Sequence, residues 1–288
     1  MRVAFFTAGT KGAGHVMRGL AIARGLERRG FRGELRSFGP TAAQWLGPLQ
    51  PVAIEESELR SPERAAESAL ARALVEYAPD LLLVDMFWAP LLHVLPVARC
   101  EAWLLLRSFP KTWLVGPPGH AFDASQYARR ISIEPLAEAP EITDRIDPIV
   151  VLNPDEQRPK GALRERLGIS ASERIVAVLQ NGEPTEAKAL VPAIGRGERL
   201  VTFDLHASDA LVPAAAWLED ADRIHATAGY NSFWEAQWLG HASRTTFTTF
   251  ARPNDDQSAR AALSGSTPKT NGADTLATMI NGRASTPG

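Results

Sequence analysis

The feature that most constrains this chain is a set of short, continuously apolar segments alternating with stretches of helical periodicity. Leu81-Leu82-Leu83-Val84 runs into Asp85, and Ala102 to Leu106 runs into Arg107. A strand that is apolar on both sides of its pleat must be covered on both faces. Parallel sheets flanked by crossover helices meet that need. Arg2 to Ala8 predicts a first strand of this kind. Val16 to Arg28 then places Val16, Leu20, Ile22, Ala23 and Leu26 at helical spacing, and Gly30 ends the helix. Strands are predicted at Gly33 to Phe38 and Pro51 to Glu55. A helix entered at Ser61-Pro62 continues over Ala65 to Tyr77.

The alternation lapses over Pro110 to His120 and again over 134–148, where prolines gather. Pro148 to Leu152 predicts a strand crossing from one domain to the next. The pattern then restarts. Strands are expected at Arg174 to Leu179, Leu200 to Leu205, Arg223 to Thr227 and Thr245 to Phe250. Helices are expected at Thr185 to Ile194, Pro213 to Leu218, Asn231 to Leu239 and Asp255 to Leu263. The fold class is therefore α/β with two Rossmann-like domains, residues 1–147 and 148–288. From Ser264 onward Ser, Thr, Gly and Pro predominate, with Asp274 heading a brief helix that presents Leu276, Met279 and Ile280.

Composition removes several function classes. A net charge of −2 over 288 residues lacks the basic balance of a nucleic-acid-binding domain. A single cysteine, Cys100, excludes a disulfide framework and a Cys-rich zinc site. Val3 to Phe6 is too short for a signal-peptide core, and Leu81 to Leu106 is broken by Asp85, Pro90, His93, Pro96, Arg99 and Glu101. No unbroken stretch reaches the roughly 20 residues of a membrane span. The expectation is a cytosolic protein with no cofactor and no metal. Peripheral membrane contact and a homodimer stay open.

Two segments carry candidate chemistry. The first is the turn Ala8-Gly9-Thr10-Lys11-Gly12-Ala13-Gly14-His15 between the first strand and first helix. Gly12 and Gly14 let backbone amides approach an anion at a helix N-terminus. A P-loop is excluded because His15-Val16, not Lys-Ser or Lys-Thr, follows Gly14. A dinucleotide site is disfavoured because the second strand ends at Phe38-Gly39-Pro40 without a carboxylate. What is left is an imidazole at a helix start, which reads equally as a capping or packing histidine.

The second segment is Gly229-Tyr230-Asn231-Ser232-Phe233-Trp234-Glu235, which follows a strand and opens a helix. Gly229 allows close backbone approach, while Asn231 and Ser232 can cap the helix or donate to a phosphate. Glu235 lies one turn on, where a carboxylate can accept both hydroxyls of a ribose. Downstream, Asp256-Gln257 offers acceptor and donor groups suited to sugar hydroxyls, although an aspartate there also suits a helix cap.

Together these segments resemble the GT-B nucleotide-sugar glycosyltransferases, most closely the branch of the peptidoglycan lipid-precursor N-acetylglucosaminyltransferase. The likeness rests on Gly12, Gly14 and His15, on Ala221-Asp222, Gly229, Asn231-Ser232 and Glu235, and on Asp256-Gln257. It departs at Gln180-Asn181-Gly182-Glu183, where only Gly182 fits the family's glycine turn. The resemblance implies two domains facing each other across a cleft. It further implies sugar transfer from a nucleotide diphosphate, a uridine one by expectation, to a hydroxyl acceptor, with inversion and without metal.

Gly12, Gly14, Gly182, Gly229, Asn231, Ser232 and Glu235 would hold the donor nucleotide, and Asp256 and Gln257 its sugar. His15 or Asp85 would be the base, one orienting the other. Arg107 and His206 are secondary candidates, and Trp88 and Trp113 would wall the acceptor site. Trp234 and Trp238 read as packing anchors. The alternatives are a sugar-nucleotide epimerase or hydrolase of this fold, and a non-catalytic nucleotide-sugar-binding protein. The resemblance also leaves this chain short of the helices that return to the first domain, which predicts a loose hinge.

Overall fold

The computed structural model describes residues 1–9, 14–40, 49–55, 57, 66–115, 120–135, 141–180, 184–205, 207, 209–252 and 255–284. Gly12, Gly182, His206 and the helix entry at Ser61-Pro62 lie outside them. The chain divides into two compact units: Met1–Thr10 with His15–Pro148 and Gly272–Gly288, and Lys11–Gly14 with Ile149–Asn271.

The first unit is built on seven parallel strands: β1 (Arg2–Phe6), β2 (Glu34–Gly39), β3 (Gln50–Ala53), β4 (Leu81–Asp85), β5 (Glu101–Leu106), β6 (Arg129–Ser132) and β7 (Asp144–Arg145). Their order in the sheet is β3-β2-β1-β4-β5-β6-β7, so the chain reverses its direction of travel across the sheet between β1 and β4. In sheets of this kind ligands bind beyond the carboxyl ends of the strands at such a switch point. Leu81 to Asp85 is buried throughout, as the unbroken apolar pattern predicts. Ala4 and Phe6, Leu82 and Val84, and Leu104 and Leu106 share one core with Leu70 and Leu74 of α2 (Ala69–Tyr77). That helix begins where Ser68 caps it, its hydroxyl accepting from the Ala71 amide at 3.1 Å. The first helix, α1 (Gly14–Arg28), is buried from Val16 to Ala23, and α3 (Leu95–Ala98) is a single turn before β5.

The second unit carries four parallel strands, β8 (Arg174–Gln180), β9 (Glu198–Asp204), β10 (Arg223–Thr227) and β11 (Thr245–Thr248), in the order β11-β10-β8-β9. Ile175, Ala177 and Leu179 of β8 pack with Val201 and Phe203 of β9 and with Ile224 and Ala226 of β10. Its helices are α4 (Ala162–Leu167), α5 (Pro184–Leu190), α6 (Tyr230–Trp238) and α7 (Gln257–Ala261). Helix α5 stops four residues before the predicted Ile194. Val191 precedes Pro192, and a residue before proline is pushed out of the helical region.

Two expectations are corrected. Pro148 to Leu152 is not a strand, although Ile149 to Leu152 are all buried. Side chains take the place of a neighbouring strand: the Ile149 amide donates to the Tyr230 hydroxyl at 2.8 Å and Trp238 Nε1 donates to the Leu152 carbonyl at 3.0 Å. The tail is the second correction. It forms α8 (Gly272–Ala284), which belongs to the first unit and not to the second. Asp274 pairs with Arg28 at 2.6 Å, Arg283 Nε donates to Glu101 at 2.9 Å, and Asn281 donates to the Arg29 carbonyl at 3.0 Å. Gly25 of α1 lets the helices meet closely, since a Cβ there would lie 2.6 Å from the Ala273 carbonyl oxygen. Ser264-to-Gly288 composition suggested a remnant, whereas the helix is anchored along its length.

Candidate active site

At the carboxyl end of the first sheet, β4 delivers Asp85 and α1 delivers His15. Asp85 is fully buried, and His15 Nδ1 lies 2.7 Å from its Oδ2. Gly9 makes room for the ring: a Cβ there would sit 2.9 Å from His15 Cγ. The chain turns sharply after Asp85, with Met86 at φ 67 and the Phe87 amide donating to the Asp85 carbonyl at 2.8 Å. This turn brings the Phe87 ring to 5.1 Å from the imidazole, and Trp113 lies 5.8 Å beyond Phe87 at a steep angle.

A third residue completes the cluster. Arg18, one turn along α1 from His15, is 2% exposed. Its Nε donates to Asp85 Oδ1 at 2.8 Å and its Nη2 to Oδ2 at 3.1 Å. Burial alone would raise the Asp85 carboxyl, but the Arg18 guanidinium and His15 outweigh it and hold the group well below the usual carboxylate range. Asp85 is thus an anion with both oxygens engaged by Arg18 and His15. An ionised carboxylate only accepts, so Nδ1 of His15 carries the hydrogen and Nε2 is the bare nitrogen. Burial lowers the His15 pKa. Asp85 works against this, Arg18 and Arg107 work with it, and the net direction is down. The imidazole is neutral at pH 7, which is the form a general base requires.

In the second unit, α6 opens on Gly229, whose extended conformation is open to any residue. A Cβ there would approach Thr227 Oγ1 to 3.2 Å, so close packing sets the preference for glycine. Asn231 and Ser232 are not the N-cap: Gly229 is, and its amide donates to the Thr227 hydroxyl at 3.4 Å. Glu235 sits one turn on. Among the described residues its carboxylate has no hydrogen bond or ion pair, and burial pushes it up to about 8. Trp234 is 1% exposed against Phe233, the packing role the sequence suggests.

Asp256 caps α7, accepting from the Ala259 amide at 2.9 Å, and stays exposed. Gln257 is buried. Its Oε1 accepts from the Phe250 amide at 3.0 Å and its Nε2 donates to Asp255 at 3.4 Å, so its amide holds the loop together. Arg260, fully buried, donates to the Ala228 carbonyl at 2.9 Å and to Asp255 at 2.7 Å, tying the loop before α6 to the loop before α7.

Trp88 is corrected from an acceptor wall to a core residue. It is 2% exposed, packs edge-on against Phe122 and donates to the Trp113 carbonyl at 3.2 Å. Trp113 is half-buried beside Phe87 and keeps an accessible face. Gly14 is the exposed first residue of α1. Arg18, Phe87 and Arg260 went unnoticed in the sequence. The first had a signal in retrospect: a guanidinium inside the run Val16 to Ala23, three residues from His15 on the same helical face. Among the described residues no cluster of three or more His, Cys, Asp or Glu is arranged to hold a metal ion, and no helix is long and apolar enough to cross a membrane.

No protein-family model matches the chain, and no curated protein matches it. Solved structures do. Spinosyn forosaminyltransferase SpnP aligns over 97% of this chain and 89% of its own, with a TM-score of 0.58 at 16% identity. Glycosyltransferase VinC, in complex with DTDP, aligns over 97% and 90%, with 0.53 at 15% identity. Phytolacca americana UGT2, complexed with UDP-2fluoro-glucose and pterostilbene, aligns over 97% and 89%, with 0.53 at 14% identity. These neighbours are GT-B glycosyltransferases. At such identities the shared property is architecture: the chain is an α/β protein with two parallel-sheet units on the pattern of the GT-B glycosyltransferases.

Proposed function

We propose that this protein is a glycosyltransferase that moves a sugar from a nucleoside-diphosphate donor to a hydroxyl acceptor with inversion. The observation that carries the reading is the neutral His15 imidazole, fixed through Nδ1 by a permanently ionised Asp85 at the carboxyl end of the switch-point strand. In the step this supports, His15 Nε2 takes the acceptor's hydroxyl proton as that oxygen bonds to the anomeric carbon. The bond from that carbon to the diphosphate oxygen breaks, and the nucleoside diphosphate leaves with the electron pair.

Leaving-group charge is met at the N-terminal turn of α6, which opens on Gly229, an electrostatic contribution of the kind that dominates much transfer catalysis. Glu235, with no side-chain partner among the described residues, is suited to accept both ribose hydroxyls. Gly14, Gly229, Asn231 and Ser232 are assigned to the diphosphate, together with Gly12 and Gly182. Asp256 is assigned to the sugar, with Gln257 shaping the loop that carries it. Phe87 and Trp113 suit an acceptor with an apolar face. The UDP-2fluoro-glucose bound by UGT2 and the DTDP bound by VinC favour a uridine or thymidine diphosphate here. The narrower kinship with the peptidoglycan-precursor branch rests on the sequence motifs alone.

A thermal-shift series with UDP, TDP and their sugars tests the donor. A ligand at 100 times its Kd stabilises the native state by about 2.7 kcal/mol, which for a chain of this size is several degrees in Tm. Absence of any shift at millimolar nucleotide would sink the donor assignment, and a shift with no acceptor-dependent loss of the sugar nucleotide would sink the transferase.

A further inference from the structure

The His15–Asp85 pair carries an additional, fully buried cation that general-base chemistry does not itself require. Arg18 reaches Asp85 with two nitrogens, Nε to Oδ1 at 2.8 Å and Nη2 to Oδ2 at 3.1 Å, while His15 Nδ1 takes the remaining direction on Oδ2 at 2.7 Å. Residues 15 and 18 lie on one helical face, and Asp85 arrives from the neighbouring strand end, so the three groups are fixed by two rigid elements. We propose that Arg18 is a positioning residue for the His15 base: its fork clamps Asp85 so that one carboxylate oxygen is turned to Nδ1, which fixes the ring and its tautomer and leaves Nε2 bare. This rests on the proposed role of His15.

The clamp has an electrostatic consequence. An aspartate facing a histidine by itself favours the imidazolium, but here the aspartate is already neutralised by a guanidinium. Arg18 Nη2 also lies 3.1 Å from Nδ1, and the repulsion between a guanidinium and an imidazolium that close works against a protonated ring. The groups facing His15 are Asp85 at the end of β4, Arg107 after β5, Arg18 on its own helix and the Phe87 ring. Burial, with Arg18 and Arg107 behind it, outweighs Asp85 and lowers the pKa of the imidazole.

The test reads the histidine rings of 15N-labelled, ligand-free protein by two-bond 15N–1H correlation across pH, with His15 assigned from the His15→Ala spectrum. No nucleotide or acceptor is needed, so the outcome is independent of whether the chain transfers a sugar. Wild-type His15 is expected as the single Nδ1–H tautomer with a midpoint below 6.5. In Arg18→Met the midpoint should rise by about one pH unit or more, because Asp85 is no longer neutralised, and the tautomers should mix. Arg18→Lys keeps charge without the fork and should recover only part of the low midpoint. A folded Arg18→Met with wild-type midpoint and tautomer overturns the proposal. If that variant does not fold, Arg18→Lys decides alone: an unchanged His15 overturns it, and a changed one supports it.

Discussion

Glu235 should make the protein lose stability as pH rises through neutrality, and Glu235→Gln should remove that loss. Burial raises this carboxyl from 4.5 to about 8, with no protein partner among the described residues to offset it. Between those values the folded state holds a proton that the unfolded state has released. Unfolding free energy therefore falls with increasing pH, by about 1.4 kcal/mol per unit where only this group titrates. The full window gives an upper limit of about 5 kcal/mol. Glu235 is partly exposed, so solvent screening brings the expected loss to about 2–3 kcal/mol. Urea unfolding of wild type and Glu235→Gln at pH 5, 6, 7, 8 and 9 isolates the term, because every other titrating group is common to both. The two should agree at pH 5 and diverge, with the variant more stable, by pH 8. Parallel curves across the range would refute the claim that the surroundings of Glu235 raise its carboxyl without a compensating partner. A nucleotide that donates to the carboxylate should abolish the divergence in the wild type.

Asp85→Asn should lower turnover by about 10²–10⁴-fold with nucleotide affinity unchanged, measured as kcat beside an equilibrium titration. Gly9→Ala should displace the His15 ring, since the added carbon would sit 2.9 Å from Cγ; a shifted His15 resonance with little change in Tm is the expected pattern, and an unmoved ring would contradict the packing. Asp274→Ala removes the partner of Arg28, two side chains only 18% and 12% exposed, and should cost about 1–3 kcal/mol in denaturant unfolding. Trp113→Ala should raise KM for an apolar acceptor while leaving donor affinity alone, and an unchanged KM would remove Trp113 from the acceptor face.

The parallel-sheet architecture was legible because continuous apolar runs have few ways to be buried. β4 and β10 lie where the pattern put them. The same rule misplaced Pro148 to Leu152, which is equally apolar but takes its hydrogen bonds from Tyr230, Asn271 and Trp238, residues far off in sequence. His15, Asp85 and Glu235 could be singled out because strand ends and helix starts are local features. Arg18 could not be assigned, since its meaning comes from a carboxylate 67 positions away. Of the two readings of Asn231 and Ser232, the N-cap one is removed, because the backbone geometry gives that position to Gly229. Trp88 was misjudged because a tryptophan in a loop-rich stretch carries no local sign of whether the core covers it. The tail was misread for a similar reason, its small residues serving the close approach of Ala273 to Gly25.

The return of α8 has a mechanical consequence. With β1 and α8 both in the first unit, residues 149–271, all of the second unit but Lys11–Gly14, are inserted between Pro148 and Gly272, and the Gly272 amide donates to the Pro148 carbonyl at 3.0 Å where the chain leaves and re-enters. Within the first unit, α8 is held to the sheet by Arg283, which donates to the Glu101 carboxylate and the Asp80 carbonyl at 2.9 Å each. The inserted segment's own ends are tied together, with Asn271 bonded to Val150 and to Asn153. Residues 149–271 therefore form a segment that can be excised, closed on itself or exchanged between chains without leaving a cut strand in either sheet.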